Sequence, residues 1–139
     1  PDKDGSIEEV KSLIKKNRLE KNVKLTGRLS KKDWISLSQN YNIFINTTNF
    51  DNTPVSVMEA MALGLPIIST SVGGVPFIIR EKDNGFLVPP KNAEAFVDKI
   101  LWIKNHEAES AEISKNARKD AENWDWKRVK EEWKQIIES

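Results

Sequence analysis

The chain has 139 residues, 22 basic and 21 acidic side chains, a single histidine and no cysteine. That length fits one domain with a core of its own. The lack of cysteine excludes disulfides, thiol catalysis and cysteine-based metal sites; the balanced charge leaves no basic footprint for nucleic acid; and no apolar run reaches the roughly 18 residues of a membrane span.

Ser6 is placed to cap a first helix, with Glu8 and Glu9 in its opening turn and Ile7, Val10, Leu13 and Ile14 at helical spacing. This helix is expected to end near Arg18. VKLTG (23–27) reads as a short strand closed by Gly27, and Gly27 with Arg28 is placed to meet a base or a phosphate. Ser30 caps a second helix that turns Trp34, Ile35 and Leu37 inward. IFIN (43–46) is an apolar strand of the kind buried on both faces, followed by the polar loop TTNFDNT.

Thr53-Pro54 reads as a helix start, with Thr53 as cap and Pro54 in the first helical position. The helix VSVMEAMAL stops at Gly64. PIIST (66–70) is the next apolar strand, Gly73-Gly74 breaks the chain, and 75–80 forms a short helix or turn. NGFLVPP supplies a turn, a strand and a stop. Asn92 caps a long helix to about Lys104. Two amphipathic helices, 107–122 and 125–138, complete the chain, with Trp126, Val129, Trp133 and Ile136 or Ile137 on the inner stripe of the last. His106, between helices, is expected on the surface. Short apolar strands alternating with helices indicate an α/β fold with a Rossmann-like parallel sheet and flanking helices. Such sheets take ligands beyond the carboxyl ends of their strands, at helix N-termini.

Charge is unevenly spread. Between Tyr41 and Ile79 the only Asp, Glu, Lys or Arg residues are Asp51 and Glu59. Glu59 lies among Val57, Met58, Ala60 and Met61 in a helix apolar nearly all round, which reads as buried. A buried carboxylate needs partners or must protonate. Glu59 either pairs with a neighbouring loop or accepts hydrogen bonds from ligand hydroxyls, and its two oxygens suit the vicinal pair of a ribose. Asp51 either serves turn chemistry or joins a site with the amides of Val55 and Ser56, which could cradle a phosphate. Gly73 and Gly74 either let backbone approach a ligand or form a plain tight turn. No cluster with metal-ligand spacing exists, so no tightly bound metal is expected. PDKDGSIEEV has no apolar signal-peptide stretch, and a cytoplasmic protein is expected.

DNTPVSVMEAMALGLPIISTSVGG, with NGFLVPPKNAEAF after it, resembles the C-terminal domain of group 1 glycosyltransferases with the GT-B fold. The resemblance runs from the helix near Ser6 to the last helix. It implies a retaining enzyme using a nucleotide-sugar donor, often in polysaccharide or glycolipid assembly, with no tightly bound cofactor. The family signature Glu-x7-Glu reads Asp51-x7-Glu59 here, its first acid one methylene shorter. By position, Asp51 would contact sugar hydroxyls and Glu59 the ribose. The backbone from Thr53 and Pro54 to Val55 and Ser56 would face the phosphates, and Gly27-Arg28 would lie near base and diphosphate. Phe77 stands where many relatives carry an acid.

The resemblance also implies that a strand, a Gly-containing loop, a basic pair and a whole acceptor-binding domain precede these elements. Residues 1–139 are therefore expected to be a single, N-terminally truncated nucleotide-sugar-binding domain cropped from a longer protein. Its expected partners are a nucleoside diphosphate sugar, an acceptor sugar or lipid-linked glycan, and the missing N-terminal domain, through which it would reach the inner face of a membrane. The fragment alone is expected to be inactive. A sugar-nucleotide epimerase on the same fold and a non-catalytic nucleotide-sugar-binding module are the alternative readings.

Overall fold

The computed structural model describes residues 5–138. The chain divides into two compact units, one ending at Trp34 and one beginning at Ile35.

In the first unit, helix α1 (Ser6–Lys16) carries Glu8 and Glu9 in its first turn. Its N-cap is Gly5 at φ 79°, with no side-chain cap, so the helix starts one residue earlier than a Ser6 cap would set it. The Asn17 side-chain amide donates to the Leu13 carbonyl at 2.8 Å and closes the other end. The expected strand at 23–27 does not form. A strand exists only through a neighbour's hydrogen bonds, and no described residue pairs with this segment; Val23 and Leu25 stay exposed. Helix α2 (Lys31–Ser38), whose residues from Ile35 on belong to the second unit, does start at Ser30. The Ser30 hydroxyl accepts the Asp33 N–H at 3.2 Å, a side-chain cap, and donates to the Asp33 carboxylate at 2.6 Å. α2 turns Trp34 and Leu37 only partly inward and leaves Ile35 exposed.

The second unit is built on a parallel sheet of three strands, β1 (Phe44–Asn46), β2 (Ile67–Thr70) and β3 (Phe86–Val88), in the order β1-β2-β3. Ile45 pairs with Ile68, and Ser69 with Leu87. Parallel neighbours need crossovers. Helix α3 (Val55–Ala62) supplies the first and α4 (Val75–Ile78) the second. Helices α5 (Ala93–Asn105), α6 (Glu107–Glu122) and α7 (Trp126–Glu138) follow. This is the α/β class read from the sequence, and β2 is buried along its whole length.

Three sequence expectations fail on packing. Among the described residues β1 has β2 as its one strand neighbour, and Ile45 is 41% exposed rather than buried on both faces. α7 buries none of its residues, and Trp126, Trp133, Ile136 and Ile137 are all exposed, so the stripe exists but is not an inner one. His106 is half-buried, stacked on Trp102 with ring centroids 4.5 Å apart, and its Nδ1 lies 2.9 Å from the Trp102 carbonyl oxygen.

Other ends follow local chemistry. α3 stops at Gly64, whose φ of 73° suits glycine, with Gly64 N–H bonded to Met61 and Leu65 N–H to Ala60. Asn92 caps α5 by accepting the Ala95 N–H at 3.0 Å. One face of α3 (Val57, Ala60, Met61) is buried, and the helix packs on α6 and β2. Ile68, Phe86, Val88, Ile103 and Ile113 form a continuous apolar cluster. The turn between α4 and β3 is held by Asn84, which is fully buried. Its side chain accepts the Arg80 N–H at 2.7 Å and donates to the Ile78 carbonyl and the Asp120 carboxylate.

Candidate functional site

The carboxyl ends of β1 and β2 release the chain into two loops, 47–53 and 71–74, and these meet. The Thr48 hydroxyl accepts the Phe50 N–H at 3.4 Å and donates to the Phe50 carbonyl at 2.9 Å, a local turn that rounds the start of the first loop. From β2, the buried Thr70 hydroxyl donates to the Thr48 carbonyl at 2.6 Å. One residue before it, Ser69 accepts from the Asn46 amide at 3.1 Å and ties the strand ends together. Further on, the Gly74 N–H donates to the Asp51 carbonyl at 2.9 Å. The loop that carries Asp51 is therefore held at both ends by the β2–α4 segment. Ser69 and Thr70 as polar endings of an apolar strand were the sequence signal for these contacts.

α3 begins immediately after this loop. Thr53 is not its cap: the N-cap position belongs to Pro54, with no side-chain cap bond. Pro54 has ψ 89°, outside helical values, and its carbonyl already accepts the N–H groups of Val57 (2.9 Å) and Met58 (3.2 Å). The amides of Val55 and Ser56 precede those bonds and stand at the open helix end, where the partial positive charge of the helix concentrates. Both residues are exposed, Val55 by 62%.

Glu59 lies one turn further along. It is half-buried, not enclosed, because α3 turns only its Val57, Ala60 and Met61 face inward. The argument from a fully buried charge weakens accordingly. Asp51 is also half-buried. The loop and the first turns of α3 thus bring together Asp51, Thr53, Pro54, Val55, Ser56 and Glu59, with Gly73 and Gly74 against the loop. Gly27 (φ 63°) and the exposed Arg28 belong to the first unit. Among the described residues, no group of three or more His, Cys, Asp and Glu side chains is placed to hold a metal ion, and no helix is long and apolar enough to cross a membrane.

One carboxylate ahead of a helix and one within it, on a helix that begins beyond the carboxyl end of a parallel strand, suit a ligand with both hydroxyls and phosphates. Residues 4–120 match the family described as glycosyl transferases group 1. The chain belongs to this family. A sulfoquinovosyl transferase from Arabidopsis thaliana is 36% identical over 98 residues, 66% of this chain and 19% of that protein. A putative colanic acid biosynthesis glycosyltransferase from Escherichia coli is 26% identical over 121 residues, 82% of this chain and 30% of that protein. Among solved structures, Anabaena HepE in complex with UDP and glucose superposes with a TM-score of 0.86 at 22% identity, over 95% of this chain and 36% of that one. The fold is thus that of the GT-B glycosyltransferases, and the chain spans about a third or less of most of these group 1 relatives.

Proposed function

We propose that the chain forms the donor-binding part of a glycosyltransferase that moves a sugar from a nucleoside diphosphate sugar to an acceptor hydroxyl, with retention at the anomeric carbon. The observation that carries this reading is the single loop–helix unit on which Asp51, the open amides of Val55 and Ser56, and Glu59 follow one another at the carboxyl ends of β1 and β2.

In this reading Asp51 accepts hydrogen bonds from the sugar hydroxyls. Glu59, with two acceptor oxygens, takes the vicinal hydroxyls of the ribose. The backbone from Thr53 to Ser56 faces the diphosphate between them. Negative charge grows on that diphosphate as the glycosidic bond breaks, and the fixed amides of the helix end stabilise it without having to reorganise. The likeness to a protein crystallised with UDP and glucose supports a nucleotide-sugar donor. The name of the Escherichia coli relative, a putative colanic acid biosynthesis glycosyltransferase, supports a role in polysaccharide assembly.

Titration calorimetry on the full-length protein tests the assignment. Glu59→Ala should weaken nucleoside diphosphate binding by about tenfold or more, which corresponds to about 1.4 kcal/mol. Unchanged affinity removes Glu59 from the ribose. The anomeric configuration of the product, read by NMR, decides retention.

A further inference from the structure

We infer that Gly73 and Gly74 are positioning residues that act on the donor through Asp51. The inference rests on the assignment of Asp51 to the donor sugar.

The two glycines are explained differently by their backbones. Gly73 has φ 51°, a conformation that favours glycine. Gly74 has φ −83° and ψ −8°, ordinary right-handed backbone open to any residue. Turn geometry therefore accounts for Gly73 and leaves Gly74 without a reason. Space supplies one. A Cβ on Gly74 would fall 2.7 Å from the carbonyl carbon of Asn52 and closer still to its oxygen. A Cβ on Gly73 would fall 3.0 Å from the carbonyl carbon of Asp51, again closer to the oxygen. The side of each glycine that lacks a side chain is filled by the backbone of the Asp51 loop.

That contact is backbone against backbone, and neither partner can swing aside as a flexible side chain would. The Gly74 N–H bond to the Asp51 carbonyl, 2.9 Å long, sits at its centre. Together with the Thr70 bond to the Thr48 carbonyl, it fixes residues 48–51 from both sides. The carboxylate of Asp51 projects from the residue whose carbonyl is gripped. A methyl group at 74 must push away the carbonyl of Asn52, the next residue in the chain, and with it the Asp51 carbonyl that the Gly74 N–H holds, and displacements of about 1 Å at a reacting centre are enough to cost a hundredfold in rate.

The test is a double-mutant cycle in the full-length protein, with the nucleotide sugar that the unaltered enzyme turns over fastest. Asp51→Asn and Gly74→Ala should each lower kcat/KM by about tenfold or more, and the double variant should be no worse than the weaker single variant by more than about threefold. Binding of the free nucleoside diphosphate, assigned to Glu59 and the helix amides, should change by less than about threefold in Gly74→Ala. Multiplying effects in the double variant overturn the inference, as does a silent Gly74→Ala beside a damaging Asp51→Asn. A silent Asp51→Asn removes the sugar assignment and the inference together. Should Gly74→Ala not fold, amide hydrogen exchange at Gly74 in the unaltered protein decides: protection supports the grip, and exchange at the rate of an exposed amide overturns it.

Discussion

The hydroxyl of Thr70 donates to the carbonyl of Thr48 at 2.6 Å, across the ends of two neighbouring parallel strands. Thr70 is buried, so its hydroxyl has no water to fall back on. Thr70→Val keeps the shape and removes the donor, leaving the Thr48 carbonyl short of a partner. The expected loss is about 1–2 kcal/mol. Urea denaturation measures it, and hydrogen exchange should rise across 47–53 while β3 is unaffected.

Asn84 makes a larger demand. It is enclosed, and its side chain joins the end of α4, the Arg80 backbone and α6 through Asp120. Asn84→Ala leaves the Arg80 N–H and the Ile78 carbonyl without this partner, and takes one of two partners from the Asp120 carboxylate, which keeps Arg80. A destabilisation of roughly 2–4 kcal/mol is expected, seen as a lowered thermal midpoint.

Arg80 bonds first to Asp83 and then to Asp120, and both hold its guanidinium above the ordinary value. A raised value stabilises the fold at every pH below the ordinary guanidinium range and is lost only as pH climbs through the raised one. The stability difference between Arg80→Gln and the unaltered chain should therefore stay constant across the neutral range. The side chain is 53% exposed, so solvent screening keeps the difference below about 1 kcal/mol. A difference that changes with pH near neutrality would assign the effect to another group.

Gly64 separates conformational strain from crowding. Its φ is 73°, and a Cβ there would meet nothing within 4 Å. Gly64→Ala should cost about 1–2 kcal/mol from backbone strain alone, read by denaturation, with donor affinity in the full-length protein unchanged.

What could be read in the sequence was what a few neighbouring residues decide. Asn92 three residues before the amide it caps, Gly64 after an apolar helix, and the segment PIIST, of which Ile67–Thr70 becomes β2, are local signals, and each formed close to where it was expected. What failed depended on partners distant in the chain. VKLTG has strand composition but no described neighbour to bond to. Ile45 and the α7 stripe have the right periodicity, yet burial is set by what lies opposite. The site divides in the same way. Asp51 and Glu59 stood out because charge is otherwise absent around them. The service of Gly74 to Asp51 was invisible, because its backbone conformation is ordinary and only the tertiary approach of residue 52 explains it.

The grip between residues 51–52 and 73–74 also bears on engineering. An exchange of one loop at a time between related chains would part this contact. Here the two loops are a matched lock and key made of main chain, so their surfaces must be inherited as a pair. A foreign 47–53 segment grafted against the native glycines, or a side chain introduced at 74 beneath the native loop, brings together halves that were never shaped for one another. A transplant of both segments in one step keeps the fit intact.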